Sequence, residues 1–544
     1  MHLTTIATLI VCGLLQNAYA NLSLLKLTNA PTLPPDASHF LHSSLASFSI
    51  ETAFFEEFFG NVTQPNTLSQ NLLEGIKKRT GVPAEIRIGG ITADSTYWDP
   101  NLTVALSNFI DKTGALQNTT LGPAFWDSVK LLPQGTKVTM TLNLQDLDFE
   151  GALNMAQATW DGLDADQLVE FEIGNEPDHY LSFTPQNYSS IWGTLAKSIT
   201  DDVKLPSPFF QVGSTVEDPL WPFDAPGASS ALDCVSALAA GSNRDGVVKS
   251  CSEHTYQYSV CDPPRIPIAT LPNLVNHTRL AMYLDLWQPR IHSIREQLGP
   301  HSFVIGEYNS VSCSGKDNVS NTFGQALWLL DTTLYAASLN ISRMYLHQGG
   351  PLALQSQSQL NHGGLSFYDM WYPVQNLNGP VQVFPSYATY LFIAETLGTS
   401  KTLQISNLYP GRQENGSSIT TEMGDKSSGQ LVAYGFWDTS DSSSSNEFPT
   451  KLVLINLEIY NQTQIGVEPR PHSTFDFSGL LRDLNTPVRV RKLQAPGADV
   501  KHSNVTQWAG QTFETGLARG SVVEEKVKGG KIKVQASEAV LVLL

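Results

Sequence analysis

Between residues 44 and 350 one pattern recurs eight times: a short apolar, β-branched run followed by a stretch of different texture. The runs are SLASFSI ending at Ile50, AEIRIGG ending at Gly90, KVTMTLNL ending at Leu144 and LVEFEIGNEP ending at Pro177. They continue with FFQVGST ending at Thr215, SEHTYQYS ending at Ser259, SFVIGEYNS ending at Ser310 and SRMYLHQGG ending at Gly350. Several of the intervals are helical in spacing. Leu280, Tyr283, Leu284, Trp287, Ile291, Ile294 and Leu298 repeat at three or four and close on Gly299 and Pro300, with Pro289 predicted to kink the run. Residues 323–337 and 387–397 predict two more helices. Strands alternating with helices imply parallel βα units, and eight units predict an α/β chain of the (β/α)8 barrel type. An open doubly wound sheet is the alternative, but no glycine-rich nucleotide turn follows the first run.

Past residue 400 the texture changes. LVAYGFWD, KLVLINLEIY, VRVRKLQ and AVLVLL alternate with Gly, Ser, Asn and Pro turns, which predicts an all-β sandwich. The expected plan is a leader at 1–20, an N-terminal segment at 21–44 packing on the β domain, a barrel at 45–399 and a sandwich at 400–544. The tract SDSSSSN at 440–446 reads as a surface loop.

Three features point to secretion. An apolar run at 6–15 precedes Ala18-Tyr19-Ala20, an A-x-A cleavage pattern. No other stretch approaches the ~18 apolar residues of a membrane span. Sequons are spread along the chain, starting at Asn21, Asn61, Asn101, Asn118, Asn187, Asn276, Asn318, Asn340, Asn415, Asn461 and Asn504. Of five cysteines, Cys12 would leave with the leader. Cys234, Cys251, Cys261 and Cys313 then suggest two disulfides, with three connectivities open. No cysteine or histidine pair has zinc spacing, so neither metal nor cofactor is expected. The net charge of -18 disfavours nucleic acid and polyanions as partners.

In a barrel of this type the chemistry sits at the C-terminal ends of the strands. Glu176 ends the fourth run and Glu307 stands near the end of the seventh, so both face one mouth. Two carboxyls astride a glycosidic bond are the minimal equipment for glycoside hydrolysis: one protonates the leaving oxygen, the other attacks the anomeric carbon or activates water. Asn175 is placed to hydrogen-bond a sugar 2-hydroxyl, whereas Glu172 lies deeper in the strand.

GNEP on strand four with a glutamate on strand seven resembles the large clan of retaining (β/α)8 glycosidases. RIGGITAD at 87–94, EHTYQYS on strand six, GEYNS on strand seven and the closing AVLVLL make the chain similar to glycoside hydrolase family 79, the β-glucuronidase and heparanase-like group, particularly its secreted fungal members. The resemblance implies Glu176 as acid/base, Glu307 as nucleophile and Tyr256 as a hydrogen-bond donor to that nucleophile. His347, Asp94 and Glu51 are implied sugar contacts. Heparanase-type members carry a Tyr-Gly-Gly stretch after the nucleophile that holds the uronate carboxylate. Here the matching segment is Ser312-Cys313-Ser314-Gly315, with Lys316 next, so Ser314 and Gly315 are the expected carboxylate-binding positions, assisted by Lys316.

Cys261 and Cys313 fall in loops after neighbouring strands, which favours a Cys261–Cys313 bridge and leaves Cys234–Cys251 as the second. The expected protein is a secreted, monomeric, retaining exo-β-glucuronidase acting on glucuronic-acid-containing glycans, with no nucleic-acid or membrane partner. Its acidic charge argues against an endo-acting enzyme that tracks heparan sulfate. The rivals are a retaining β-glycosidase of neutral-sugar specificity and a non-catalytic carbohydrate-binding relative.

Overall fold

Eight strands close into a parallel barrel: β1 (Ala46–Glu51), β2 (Ile86–Gly89), β3 (Val138–Leu142), β4 (Leu168–Ile173), β5 (Phe210–Thr215), β6 (Val248–Thr255), β7 (Phe303–Tyr308) and β8 (Met344–Gln348). Each pairs with its neighbour in sequence, and β8 pairs with β1 to complete the ring. The computed structural model describes residues 24–112, 114–180, 183–219, 232–350, 364–408, 430–439 and 447–544. The expected leader at 1–20, Asn21, Asn415 and the tract at 440–446 lie outside them.

The strand sequences explain the closure. Helices cover the outside of the ring, so outward residues such as Phe48, Ile50, Ile86, Ile88, Val138, Met140, Phe171, Ile173, Phe210 and Val212 are apolar and fully buried. The alternate residues point into the barrel, and there this chain departs from the usual branched aliphatic filling. Its interior holds two polar tiers. Near the N-terminal ends of the strands, Arg343 donates to Glu85 at 2.7 Å, Tyr345 to the same carboxylate at 2.8 Å, and Gln211 and Ser250 to Glu170 at 3.0 and 2.6 Å. Near the C-terminal ends, Arg87 gathers Glu172, Glu307, Asn175 and Ser49.

The expected continuous helix through 280–298 is two. His277–Leu284 gives way to a 3-10 turn at Asp285–Trp287, and a second helix runs Gln288–Leu298. Pro289 lacks the N–H a helix interior requires but is accommodated in a first turn, so the chain restarts there rather than kinking. Phe323–Ser338 and Ser386–Leu397 are buried helices that carry the second layer.

That layer is an antiparallel sheet containing Leu403–Asn407, Leu431–Asp438, Lys451–Asn456, Glu538–Leu543 and Val488–Gln494. One face lies on the barrel helices: the Tyr434 hydroxyl donates to Asp331 at 2.6 Å, and Phe392 packs on Trp508. The other face meets a three-stranded sheet of Leu24–Lys26, His472–Asp476 and Lys531–Gln535. Trp437, Leu452, Leu454, Phe475, Val534, Val540 and Val542 fill the space between the two sheets. The segment before β1 runs along this domain through Leu24–Lys26 and through Ser38 and Leu41, whose N–H groups donate to Ile405 and Leu403.

Candidate active site

Strand β4 ends because its backbone turns left-handed twice. Gly174 sits at φ +85° and Glu176 at φ +50°, the latter an uncommon state for a residue with a Cβ. Pro177 then opens a 3-10 turn with Glu176 as its N-cap. The Glu176 N–H donates to the Ser214 carbonyl at 2.9 Å, anchoring the turn to the end of β5. The backbone thereby presents Glu176 to a cleft of about 590 Å³, with its side chain partly open.

Glu307 faces it from β7. Its Oε1 accepts from the Tyr256 hydroxyl at 2.7 Å and its Oε2 from the Arg87 guanidinium at 2.8 Å. His347 Nδ1 stands 3.6 Å from the same Oε2. Burial alone would raise the Glu307 carboxyl, but the charges of His347, His254 and Arg87, with the Tyr256 hydrogen bond, outweigh it and hold the group below the ordinary carboxylate range. Glu176 Oε1 lies 3.0 Å from His254 Nδ1, and its other oxygen is 3.9 Å from His179. Carboxylate oxygens of Glu176 and Glu307 and a ring nitrogen of His254 lie within 4.8 Å of one another. Such a trio has the spacing of a cation site, but both Glu307 oxygens are already engaged by Tyr256 and Arg87.

Other expected site residues divide. Asn175, Tyr256, Glu51, His347 and Ser314 line the cleft. Glu51 accepts from the Thr92 N–H and hydroxyl at 2.7 and 2.5 Å and lies 3.1 Å from His347 Nε2. Gly90 makes room for it, since a Cβ there would stand 2.4 Å from Glu51 Oε2. Burial lowers the His347 imidazole, but Glu307 and Glu51 together raise it above its ordinary value.

Three expectations are corrected. Asp94 is not a wall of the cleft: it is buried behind Asn175, accepting from the Asn175 N–H at 3.2 Å and from the Tyr180 hydroxyl. Gly315 is also set back, and its N–H is spent on the Val311 carbonyl. Lys316 turns away and donates to the Ala269 carbonyl at 2.8 Å. The guanidinium at the cleft is instead that of Arg265, which is paired with Asp218 at 2.7 Å and Asp262 at 3.1 Å.

Sequence reasoning also missed residues. Arg87 binds Glu172 through two nitrogens at 2.9 and 2.6 Å, Asn175 at 2.8 Å and Ser49 at 2.9 Å, besides Glu307. An arginine in a strand with no exposed face had to be paired with carboxylates, and that was the available signal. His254 and Tyr368 are the others; Tyr368 lines the cleft with its ring centroid 6.0 Å from that of His347.

The rim is braced covalently. Cys261, in the loop after β6, is bonded to Cys313, in the loop after β7, and Cys234 is bonded to Cys251. Among the described sequon asparagines none is buried.

Residues 433–541 match the model of the glycosyl hydrolase family 79 C-terminal beta domain. A β-glucuronidase of Aspergillus niger is 29% identical to the chain, over 90% of its length and 87% of the relative's. A β-glucuronidase of Neurospora crassa is 26% identical, over 89% and 87%. Among solved structures, a 4-O-α-L-rhamnosyl-β-D-glucuronidase from Fusarium oxysporum 12S superposes with a TM-score of 0.74 at 22% identity, covering 96% of this chain and 100% of that one. A family 51 arabinofuranosidase from Xanthomonas axonopodis pv. citri has a TM-score of 0.58 at 14% identity, covering 94% and 99%; both likenesses concern the fold. With a barrel that ends two strands on facing glutamates, the chain is similar to the two fungal β-glucuronidases over most of its length and to glycosyl hydrolase family 79 in its C-terminal β domain.

Proposed function

We propose that this protein is a retaining exo-β-glucuronidase that removes terminal β-linked glucuronic acid from glycans. The observation that carries the mechanism is the approach of the Glu176 and Glu307 oxygens to within 4.8 Å. Inverting enzymes separate their carboxyls by roughly 6.5–9.5 Å to admit a water, whereas retaining ones hold them at about 5 Å. Glu307, kept ionised by Arg87 and Tyr256, attacks the anomeric carbon while Glu176 gives its proton to the departing oxygen. A glycosyl-enzyme results. Glu176, now a carboxylate, takes a proton from water, and that water releases the sugar and regenerates Glu307. Asn175, fixed through its Oδ1 by Arg87, is left with its amide N–H groups for the sugar 2-hydroxyl. Both steps use only the two carboxyls, so the mechanism requires no metal or cofactor.

The sugar assignment rests on the two fungal relatives named as β-glucuronidases. We take Ser314, in the left-handed run of Cys313 and Ser314, as part of the surface that receives the uronate carboxylate. Catalysis is assigned to a barrel domain at 45–399 and support to the β domain at 400–544. The enzyme is read as a secreted monomer glycosylated at exposed sequons; no helix among the described residues is long and apolar enough to cross a membrane.

One observation favours the rival neutral-sugar reading. Lys316 points elsewhere and Arg265 is already paired with two aspartates, so neither cation stands ready for a carboxylate. A panel of aryl β-glycosides (glucuronide, galacturonide, glucoside, galactoside, xyloside) decides. The glucuronide is expected to exceed each neutral sugar about 100-fold or more in kcat/KM, because a site arranged for a carboxylate leaves polar groups unpaired around its isostere. Preference for a neutral glycoside overturns the substrate and leaves the mechanism standing.

A further inference from the structure

A second cavity, of about 660 Å³, opens on the outer wall of the barrel and shares no lining residue with the catalytic cleft. Three elements build it. The strand Thr96–Trp98 brings Trp98, and the helix Ala124–Val129 brings Trp126 and Asp127. The helix Phe149–Gly162, the crossover between β3 and β4, supplies Asn154, Gln157 and Asp161, whose spacing of three and four sets them on one face.

The two indoles lie side by side, 5.9 Å between ring centroids and 33° from parallel. Trp126 is buried, and its N–H finds no acceptor among the described residues, whereas Trp98 remains partly open. Gly162 permits the arrangement, since a Cβ there would stand 2.3 Å from the Trp126 ring. Asn154 is exposed beside them, and Gln157 donates to Asp161 at 2.9 Å. Asp127 and Asp161 outnumber the one cation, Lys130, which stands 3.9 Å from Asp127.

We propose that this groove binds an uncharged sugar unit of a glycan. The C–H face of a pyranose lies against the electron-rich face of an indole. Its hydroxyls find donors and acceptors in the amides and carboxylate of the helix face, the combination of apolar wall and few polar groups that small-ligand sites use. The surplus of carboxylates repels a uronate, so the ligand is a neutral residue of the polymer rather than the acidic sugar taken by the cleft. Occupied, the groove holds the polymer to the protein and raises the local supply of chain ends.

Affinity electrophoresis through gels containing galactan, mannan or xylan tests this without reference to the catalysed reaction. At least one of these neutral polymers is expected to retard the wild-type chain, and polygalacturonate is not. Trp98→Ala is expected to weaken the retarding interaction about 3- to 10-fold, with hydrolysis of a small aryl glycoside unchanged. Asn154→Ala, on an exposed helical position, is expected to weaken it in the same direction and guards against misfolding of the tryptophan variant. Migration unaffected by all three neutral polymers overturns the proposal. So does full retardation of Asn154→Ala together with Trp98→Ala; where Trp98→Ala loses aryl glycoside hydrolysis as well, full retardation of Asn154→Ala alone overturns it. Failure of the glucuronidase assignment would appear instead in the aryl glycoside panel and leave these mobilities as they are.

Discussion

Glu307→Gln is expected to lower turnover of an aryl β-glucuronide about 10⁴-fold or more, the scale on which loss of a covalent nucleophile is felt. The substitution keeps the shape and removes the charge. An amide also reverses one of the hydrogen bonds at the site, since its NH₂ cannot accept from the Arg87 guanidinium or the Tyr256 hydroxyl as the carboxylate does. Shortening to Glu307→Gly opens space on that face, and added azide is then expected to attack the anomeric carbon directly and give the α-glucuronosyl azide. Glu176→Gly is expected to respond differently: azide meets the glycosyl-enzyme from the opposite side and gives the β product. Exchange of the two products would reverse the roles, and near-parental activity of Glu307→Gln would dismiss the residue. The depressed Glu307 carboxyl adds a pH signature. The group titrates near 4.3 in the unfolded chain and lower in the folded one. Its ionised form therefore adds stability at pH values above ~4.3 that is lost as pH falls through the folded value. The acid limb of kcat/KM governed by Glu307 is accordingly expected below the ordinary glutamate range.

Arg87→Met is expected to be the most damaging change outside the two glutamates. The guanidinium is buried and serves Glu172, Glu307, Asn175 and Ser49 at once. Removing it strands two carboxylates in the barrel interior, and breaking a buried ion pair from one side costs about 3–5 kcal/mol. Part of that cost is avoided if the carboxylates take up protons, which for Glu307 means losing the charge that its proposed role as nucleophile needs. The result to look for is a lowered denaturation midpoint together with an acid limb displaced to higher pH. Arg87→Lys separates charge from shape: a single ammonium cannot fork to Glu172 and Glu307 together, so it is expected to retain part of the stability and little of the activity. A methionine variant with parental stability and pH profile would remove Arg87 from the site.

Much of this was legible in the chain itself. The eight runs betray the barrel because strands buried on both faces show as short apolar stretches between helical spacings. The glutamate at the end of β4 announces itself because a proline follows it. Arg87 was less visible. RIGG reads as an ordinary strand end, and only the parallel register of β2 with β1 and β3 turns that side chain toward Glu172 and Glu307. Lys316 failed for a related reason: a side chain in an irregular loop has no period to fix its direction, and this one follows three consecutive left-handed residues, Cys313, Ser314 and Gly315. Asp94 fell one layer short, because sequence adjacency to a strand end does not distinguish a wall of the cleft from the residue that props it. The helix broken before Pro289 shows the limit of a 3.6-residue period, which survives a restart of the helix and so hides it.

The deeper tier of the barrel stands apart from all of this. Glu85, Arg343, Tyr345 and Glu170 pair with one another at the N-terminal ends of the strands, opposite the mouth where Glu176 and Glu307 meet. Nothing in the reaction calls on them. A matched apolar set is therefore expected to be neutral or better in their place, whereas any one replaced alone leaves a charge without its complement. Such a network is a lock with several tumblers: it has no duty that prevents it from being redesigned, yet stepwise drift meets an unstable intermediate at every first move. The floor of this barrel is thus held in place by the route to its alternatives rather than by the merit of its chemistry.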